Sequence, residues 1–171
     1  MLSNIYKRIY LVGFMGSGKT TFGRELSAAL QLDFVDLDAA IENTTNQKIA
    51  TIFEENGENF FREIEKNTLQ KCNENTVIAT GGGTACFFDN MQWMKENGLV
   101  IYLNNSTEVL LERLNKTDLA ERPLLKNLSK ESLQLFVKEK LAEREKYYFL
   151  ADIFINNNAI TAQEVANWLK N

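Results

Sequence analysis

Short apolar runs bounded by turn residues recur along the chain and predict five β-strands. The runs lie at residues 9–12, 34–35, 77–79, 99–103 and 153–155. Between them, apolar residues recur at spacings of three and four, as at Leu133, Phe136 and Val137, which predicts amphipathic helices. Strands that alternate with helices form a mainly parallel sheet with right-handed crossovers. The predicted fold class is therefore α/β, with a central sheet flanked by helices.

Two segments nearer the C-terminus carry clear boundary signals. Thr161 is expected to cap the last predicted helix. The buried stripe expected for that helix is Val165, Trp168 and Leu169. The polar stretch 115–129 contains the only proline, both signs of charge and no strand pattern, so a mobile loop is expected there.

The composition narrows the possible partners. The 171 residues include 19 Lys and Arg against 23 Asp and Glu, which gives a net charge of −4. Because the basic residues form no long run, nucleic acid or an anionic membrane is not expected as the main partner. The length fits one domain, residues 1–171, which can bury a core without a disulfide or a metal.

The residue types also restrict the chemistry. Histidine is absent, which excludes mechanisms that need imidazole as base, nucleophile or ligand. Cys72 and Cys86 are too isolated for a metal cluster or a redox pair, so we expect reduced thiols in a cytosolic protein. The apolar stretch 9–15 is too short to span a membrane and has no cleavage site, so we expect a buried strand rather than a signal peptide.

A phosphate-binding loop is the most specific motif. Residues 13–20 fit GxxxxGK[ST], follow a predicted strand and open a predicted helix, which is the context that the motif requires. Backbone N–H groups of such a loop face a bound phosphate, and the helix N-terminus adds positive potential. Lys19 would reach the β- and γ-phosphates, and the Thr20 hydroxyl would ligate Mg²⁺.

This loop alone leaves kinases, GTPases and other ATPases open. Residues 115–118 match the NKxD element by which GTPases recognise guanine. They follow a segment of helical period instead of a buried strand, however, and no Asp in the chain has Gly three positions on, as a GTPase DxxG turn requires. We therefore interpret residues 115–118 as a solvated helix end.

Charged residues further along suggest an acceptor site. Asp36 and Asp38 end the second predicted strand and point the same way if the strand continues, where Mg²⁺ and an acceptor hydroxyl would offset their repulsion. The alternative is a strand end at which Asp38 caps a short helix. Arg62 and Glu65 are neighbours on a predicted helix, and such spacing usually means a surface ion pair.

Three consecutive glycines follow the third predicted strand. Gly81, Gly82 and Gly83 lie at its carboxyl end, where open α/β sheets bind ligands. Glycine at such a place permits close approach of the backbone to a substrate. A flexible turn would need only one or two of them, so we favour a functional role.

Six motifs in one order resemble the shikimate kinase family. They are GxxGxGKT at 13–20, DxD at 36–38, GExxFRxxE at 57–65, TGGG at 80–83, RPLL at 122–125 and RxxxYxxA at 144–151. The resemblance spans nearly the whole chain, and the FRxxE, triple glycine and late arginine together are specific to this family among small kinases. The chain departs from the pattern at Lys146, where many relatives carry proline.

The resemblance implies a three-layer P-loop kinase fold with a central, mainly parallel five-stranded sheet and a mobile lid at about 115–129. It implies phosphorylation of the 3-hydroxyl of shikimate by ATP and Mg²⁺, which gives shikimate 3-phosphate and ADP on the way to chorismate and the aromatic amino acids. A cytoplasmic monomer that binds no nucleic acid and no membrane is expected. The alternatives are another small P-loop kinase, acting on gluconate or a nucleoside monophosphate, and a nucleotide-dependent binding module.

The resemblance also implies a role for each site residue. Guanidinium groups pair with carboxylates in a bidentate manner, so Arg62, oriented by Glu65, and Arg144 would bind the shikimate carboxylate. Asp38 would accept hydrogen bonds from ring hydroxyls and is the candidate base. The expected shikimate-binding residues are Asp38, Arg62, Gly81, Gly82, Gly83 and Arg144.

On the nucleotide side, Arg122 of the lid would bring positive charge to the γ-phosphoryl group and close the site against water. Arg113 or Lys116 would lie along the adenine. The expected nucleotide-binding residues are Gly16, Ser17, Gly18, Lys19, Thr20, Thr21 and Arg122. The expected metal ligands are Thr20 and Asp36, and the expected catalytic residues are Lys19, Asp38 and Arg122.

Overall fold

The elements alternate along the chain as the apolar pattern predicts. A computed structural model describes residues 7–116, 125, 128–156 and 159–170. Arg122 and most of the predicted lid, 115–129, lie outside the described residues, as do residues 117–118 of the NKxD match. The strands are β1 Arg8–Val12, β2 Asp33–Asp36, β3 Thr76–Ala79, β4 Leu99–Leu103 and β5 Ile153–Ile155. The α-helices of the described residues are α1 Lys19–Leu30, α2 Leu37–Thr45, α3 Ile49–Gln70, α4 Asn90–Asn97, α5 Thr107–Asn115, α6 Lys130–Tyr148 and α7 Ala162–Lys170, and a short 3-10 helix spans Thr84–Cys86.

The five strands form one parallel sheet in the order β2-β3-β1-β4-β5. The predicted runs at 99–103 and 153–155 coincide with β4 and β5, which confirms both predictions. The first strand ends at Val12, because Gly13 turns the chain at φ 146°. Since β1 and β3 are neighbours, the loop after β1 and the glycines after β3 meet at the carboxyl edge of the sheet.

The sheet separates two apolar layers. Tyr10 and Val12 of β1 face a cluster built mainly from α2 to α6, whereas Ile9 and Leu11 face α1 and α7. This alternation follows the two-residue period of a strand. The prediction of helices on both faces of a parallel sheet is confirmed. Among the described residues, no helix combines the length and the apolarity that a membrane crossing requires.

The last helix begins as predicted, and of its predicted buried stripe only Trp168 lies outside the core. Thr161 accepts a hydrogen bond from the Glu164 amide at 3.2 Å and its own amide donates to the Glu164 carboxylate at 2.8 Å, which is a capping box. Val165 is fully buried, but 59% of Trp168 is exposed, so the prediction for Trp168 is wrong. Ala162 and Ala166 lie on the buried face instead, because their small side chains let α7 pack closely on α1.

A glycine divides α3 into two helical segments. Gly57 adopts φ 82° and ψ 172°, a conformation that a residue with a Cβ rarely tolerates. The second segment begins at Glu58 and carries Arg62 and Glu65 on its buried side. The break therefore sets the direction in which the FRxxE motif faces.

Candidate active site

The loop after β1 has the conformation of a phosphate cradle. Gly16 and Gly18 have φ values of 80° and 90°, and Gly18 immediately precedes α1. At Gly13, an added Cβ would lie 2.9 Å from the carbonyl oxygen of Leu103. The glycines are thus required both by the left-handed backbone and by the close approach of β4.

Lys19 lies at the first position of α1 and is 8% exposed. Its Nζ donates hydrogen bonds to the carbonyl oxygens of Gly13 at 2.7 Å and Phe14 at 2.9 Å, and to Ser17 Oγ at 3.3 Å. The ammonium is thereby held inside the loop. Lys19 also lines the central cleft, together with Gly16, Gly18, Thr20 and Thr21.

Two further side chains hold the phosphate loop from the α5 side. Arg113 Nη1 donates to the carbonyl oxygens of Ser17 at 3.1 Å and Gly16 at 3.3 Å. Asn105 Nδ2 donates to the same Ser17 oxygen at 3.3 Å. Of the two adenine candidates, Arg113 thus lies against the loop, whereas exposed Lys116 pairs with Glu112 on its own helix.

The two residues expected to hold Mg²⁺ are in direct contact. Thr20 Oγ1 donates to Asp36 Oδ2 at 2.7 Å. Asp36 Oδ1 accepts from the Ala39 amide at 3.2 Å and so caps α2. The strand therefore ends at Asp36, so the prediction that it continues to Asp38 is wrong, and so is the alternative in which Asp38 is the cap. A hydroxyl beside a carboxylate fits Mg²⁺, which prefers hard oxygen ligands.

Asp38 lies in the first turn of α2 and faces the cleft. Its pKa is raised from the ordinary value to about 6. The main cause is the loss of hydration beside the cleft walls, although Asp38 stays accessible to solvent; the negative charges of Glu65 and Asp36 follow, while Lys19 and Arg62 act in the opposite direction. A carboxyl group with this pKa is ionised near neutral pH but holds a proton more readily than an ordinary aspartate.

Arg62 and Glu65 form a buried pair, so the usual interpretation as a surface ion pair is wrong. Arg62 is 4% exposed and Glu65 is completely buried. Arg62 Nη1 donates to Glu65 Oε2 at 2.8 Å, while its Nε and Nη2 contact Glu58 Oε1 at 3.2 and 3.0 Å. The guanidinium also lies over the ring of Phe87, 4.3 Å from its centroid. These contacts fix the plane of the Arg62 side chain.

Arg144 enters the same cleft from α6, which continues unbroken through Lys146. The side chain is 6% exposed, and its Nη1 has no hydrogen-bond partner among the described residues. Its guanidinium carbon lies 5.7 Å from the centroid of the Phe14 ring. A buried cationic donor without a partner is costly, so this atom marks a place where an anion can bind.

Each of the three glycines lies against a charged side chain. A Cβ at Gly83 would lie 2.7 Å from Arg62 Nη2, and a Cβ at Gly82 would lie 3.5 Å from Arg144 Nη1. At Gly81 it would lie 2.8 Å from Glu65 Oε1. The expected close backbone approach is therefore present, and it brings the turn against both arginines.

These groups share one cleft of about 730 Å³. Its lining combines phosphate-loop residues with Asp38, Arg62, Glu65, Arg144 and residues 81–83. That volume is typical of small-molecule sites. The expected acceptor residues are thus brought together with Lys19, although they come from four separate segments.

Sequence reasoning missed several residues of this region. Ile49 and Phe53 add an apolar wall beside Phe61, whose ring centroid lies 4.7 Å from that of Phe53. Thr84 donates to Glu65 Oε1 at 2.6 Å, and Tyr148 donates to the Gly82 carbonyl oxygen. Thr84 follows the TGGG motif and Tyr148 lies within RxxxYxxA, but neither position reveals its partner.

Comparison with known proteins identifies the family. A family model described as shikimate kinase matches residues 15–171. A shikimate kinase of Parabacteroides distasonis is 46% identical over 149 residues, which cover 86% of each chain. The crystal structure of the Bacteroides thetaiotaomicron shikimate kinase superposes with a TM-score of 0.87 at 35% identity and covers 96% of each chain. The solved structure of the Acinetobacter baumannii shikimate kinase in complex with shikimate gives a TM-score of 0.84 at 34% identity, over 97% of this chain and 92% of that one. The chain therefore belongs to the shikimate kinase family, whose members transfer a phosphoryl group from ATP, with Mg²⁺, to shikimate.

Proposed function

We propose that this chain transfers the γ-phosphoryl group of ATP to the 3-hydroxyl of shikimate by means of the residues that line the cleft. The observation that carries the proposal is the convergence of two buried arginines, Arg62 and Arg144, on the cleft that contains the phosphate loop. A negatively charged acceptor and a nucleotide can thus bind side by side.

The arginines suit an acceptor that carries one carboxylate. Two guanidiniums that are each almost fully buried are stable together only if anions neutralise them. Glu65 and Glu58 serve Arg62, but Arg144 Nη1 lacks a partner among the described side chains and main-chain groups. We therefore assign the shikimate carboxylate to the space between Arg62 and Arg144, with residues 81–83 forming its backbone wall.

Asp38 is the group we assign to the hydroxyl that reacts. Its carboxylate faces the cleft between the acidic Glu65 and the phosphate-loop Lys19. A pKa of about 6 leaves it ionised at pH 7 to 8, so that it can accept a hydrogen bond from a ring hydroxyl. A loose phosphoryl-transfer transition state needs little base assistance, and Asp38 would then act mainly by orienting the nucleophilic oxygen.

The nucleotide is assigned to the phosphate loop and the start of α1. Residues 16–21 would bind the phosphates through backbone N–H groups, and Lys19 would move from its loop carbonyls to the phosphate oxygens. Thr20 and Asp36 would hold Mg²⁺, since their oxygens already lie 2.7 Å apart. When bound, the ion draws charge from the phosphate oxygens and so favours attack by the acceptor.

We also assign Arg122 and the lid at 115–129 to the nucleotide, and this assignment rests on the family resemblance alone. Arg122 lies outside the described residues, so its assignment rests on the RPLL motif at 122–125. A cation that closes over the γ-phosphoryl group would stabilise its developing charge and exclude water as a competing acceptor.

We also propose that the enzyme is a single-domain monomer that works in the cytoplasm. Every group assigned to the acceptor comes from this one chain. The two cysteines are free thiols, Cys72 buried and Cys86 partly exposed, as suits a reducing compartment that also supplies ATP. Light scattering on the purified protein would test the oligomeric state.

The experiment that tests the reaction is the rate of ADP release from ATP and Mg²⁺ with different acceptors. Shikimate should stimulate release strongly, while gluconate and AMP should leave it at the rate without acceptor. Removal of Mg²⁺ by a chelator should abolish the stimulation. A rate indifferent to shikimate would contradict the proposal, and stimulation by gluconate or AMP alone would assign the chain to another small kinase activity.

A further inference from the structure

The turn formed by the three glycines is held by one hydroxyl on each side. Thr84 Oγ1 donates to Glu65 Oε1 at 2.6 Å, and Glu65 Oε2 in turn accepts from Arg62 Nη1. On the other side, the Tyr148 hydroxyl donates to the carbonyl oxygen of Gly82. The Thr84 hydroxyl therefore holds Glu65, which in turn holds Arg62, and the Tyr148 hydroxyl holds the backbone beside Arg144.

Both hydroxyls lie behind the cleft, where they can hold other site residues in place but cannot contact the substrate. Thr84 and Tyr148 are each fully buried, and neither lines the cleft. The Thr84 main chain is itself fixed, because its carbonyl oxygen accepts from Asn90 Nδ2 at 2.9 Å and its amide donates to Gly81 at 3.2 Å. Tyr148 packs on the buried ring of Tyr102, with the centroids 5.1 Å apart.

The glycine turn is the element that separates the two guanidiniums. Gly83 lies against Arg62, where a Cβ would lie only 2.7 Å from Nη2, and Gly82 lies beside Arg144, where a Cβ would be in van der Waals contact with Nη1 at 3.5 Å. Any shift of this turn changes the spacing between the two groups that would grip a single carboxylate. Bidentate recognition depends steeply on such spacing.

We infer that Thr84 and Tyr148 are positioning residues that set the spacing of Arg62 and Arg144, and hence the affinity for the acceptor carboxylate. The inference rests on the proposed function, because it takes both arginines as carboxylate ligands. Without the Thr84 hydroxyl, Glu65 loses one of the two hydrogen bonds that it accepts from described side chains and holds Arg62 less firmly. Without the Tyr148 hydroxyl, the Gly82 carbonyl is released and the turn beside Arg144 loosens.

The test uses near-isosteric variants of the whole enzyme. Tyr148→Phe removes the hydroxyl and Thr84→Val replaces it with a methyl group, and each should raise the KM for shikimate about three- to tenfold, as expected for the loss of one hydrogen bond. The KM for ATP should change by less than about twofold. Thr84→Ser keeps the hydroxyl and should restore the KM for shikimate. This rescue and the difference between the two KM values would not follow from a purely structural role.

Matched controls are available nearby. Thr76→Val removes a buried hydroxyl that bonds to the Glu74 carbonyl at the other end of β3, and Tyr147→Phe changes the neighbouring tyrosine on α6. Neither control should alter either KM. Because KM does not depend on the amount of active enzyme, partial unfolding does not obscure the result. If either Thr84→Val or Tyr148→Phe fails to fold, the KM for shikimate of the other variant tests the inference.

Arg62→Ala and Arg144→Ala separate failure of this inference from failure of the proposed function. If both arginine variants lose shikimate affinity while Thr84→Val and Tyr148→Phe keep it, the positioning role is wrong and the site assignment stands. If the arginine variants also bind shikimate normally, the carboxylate site itself is wrong. A rise in the KM for ATP equal to that for shikimate would contradict the inference, since it would indicate a general disturbance of the cleft.

Discussion

The two halves of the cleft are built in different ways. The nucleotide half, residues 13–21 with Asp36, is nearly one continuous segment whose shape is set by glycine backbone angles. The acceptor half consists of Asp38, Arg62, Glu65, residues 81–83 and Arg144, which come from four segments and converge only in the fold. The nucleotide half therefore depends on local geometry, and the acceptor half depends on buried charges held by distant neighbours.

This difference has an energetic side. In the nucleotide half, Lys19 donates hydrogen bonds to backbone carbonyls of its own loop. In the acceptor half, the fully buried Glu65 depends on Arg62 and Thr84. Breaking a buried ion pair by removing one partner is strongly destabilising. Mutations in the two halves should thus differ in their effects on stability as well as on binding.

The largest effect is expected for Lys19→Ala, which tests whether turnover can be lost in the nucleotide half while the acceptor half still binds shikimate. Turnover should fall by on the order of 10²–10³, the cost of removing one preorganised positive donor at a transferring group. Shikimate affinity measured without nucleotide should stay within about twofold of the wild type. Steady-state kinetics and titration calorimetry measure the two quantities, and circular dichroism checks the fold. Weakened shikimate binding would show that the halves are not independent.

The sequence predicted the two halves unequally for the same reason. The phosphate loop is local, so the motif at 13–20 and its strand-to-helix context fix its geometry. The burial of Arg62 and Glu65 depends on which side of α3 faces the sheet, and spacing alone favoured a surface pair. Thr84 bonds across 19 residues, and no local pattern indicates such a partner.

The fold itself was more predictable than the boundaries of its elements. Apolar runs located both β4, which is buried throughout, and the edge strand β5, although Phe154 of β5 is half exposed. The end of β2 was harder, since Asp36 and Asp38 suit either a continued strand or a helix cap. Trp168 was assigned to the core because large apolar residues usually are buried, but the close packing of α7 on α1 favours alanine at those positions.

A tenfold to hundredfold effect is expected for Arg62→Ala and Arg144→Ala. Each removes a hydrogen-bonding charge worth about 1.5–3 kcal/mol, so shikimate affinity should weaken by about ten- to a hundredfold. ATP affinity without shikimate should barely change. Arg62→Lys should also be impaired, because an ammonium lacks the bidentate fork. Calorimetry that found shikimate affinity intact in both alanine variants would show that the acceptor half is wrongly assigned.

The same variants should differ in stability. Arg62→Ala leaves Glu65 buried without its cation and should cost about 3 kcal/mol or more. Arg144→Ala removes a side chain whose Nη1 has no partner among the described residues, and should cost much less. Urea denaturation at pH 7.5 compares the two. Equal losses would indicate that Arg62 and Glu65 do not form the stabilising pair described above.

A smaller effect, about tenfold, is expected for Gly83→Ala. Its Cβ would lie 2.7 Å from Arg62 Nη2, so the guanidinium must move and the KM for shikimate should rise by about tenfold, or ~1.4 kcal/mol. Gly82→Ala is the matched control, since its Cβ meets Met15 at 3.2 Å and Arg144 at 3.5 Å and should disturb the site less. If Gly82→Ala raised the KM for shikimate more than Gly83→Ala, the contact between Gly83 and Arg62 would not be the one that limits the site.

Lowering the pH by one unit below the pKa of Asp38 should also reduce activity by about tenfold. The pKa of Asp38 is about 6, so kcat/KM should fall as the pH drops below 6, by about tenfold for each further pH unit. Activity falls on this acid limb of the pH profile because only the ionised Asp38 carboxylate accepts the hydrogen bond from the substrate hydroxyl. The residual activity of Asp38→Asn should lack this limb. An unchanged limb in that variant would assign it to the nucleotide or another group.

The smallest effect expected is a gain in thermal stability for Asp38→Asn. Burial and the nearby carboxylates raise the pKa of Asp38 above its ordinary value, so the folded state binds this proton more tightly than the unfolded chain does. The stabilisation that protonation provides is complete below about pH 4 and is lost as the pH rises through about 6. At pH 8 the ionised wild-type group therefore opposes folding, and the neutral amide does not.

Solvent in the cleft screens part of this repulsion, so we expect Asp38→Asn to raise Tm at pH 8 by only about 2–4 °C, or ~1 kcal/mol. The gain should shrink towards zero at pH 4. Asp36→Asn is the control from the nucleotide half, and it should show no gain, because the Asp36 carboxylate accepts hydrogen bonds from Thr20 and the Ala39 amide. Scanning calorimetry at the two pH values distinguishes these outcomes. A lower Tm for Asp38→Asn at pH 8 would mean that the acceptor half does not carry the unfavourable negative charge that separates it from the nucleotide half.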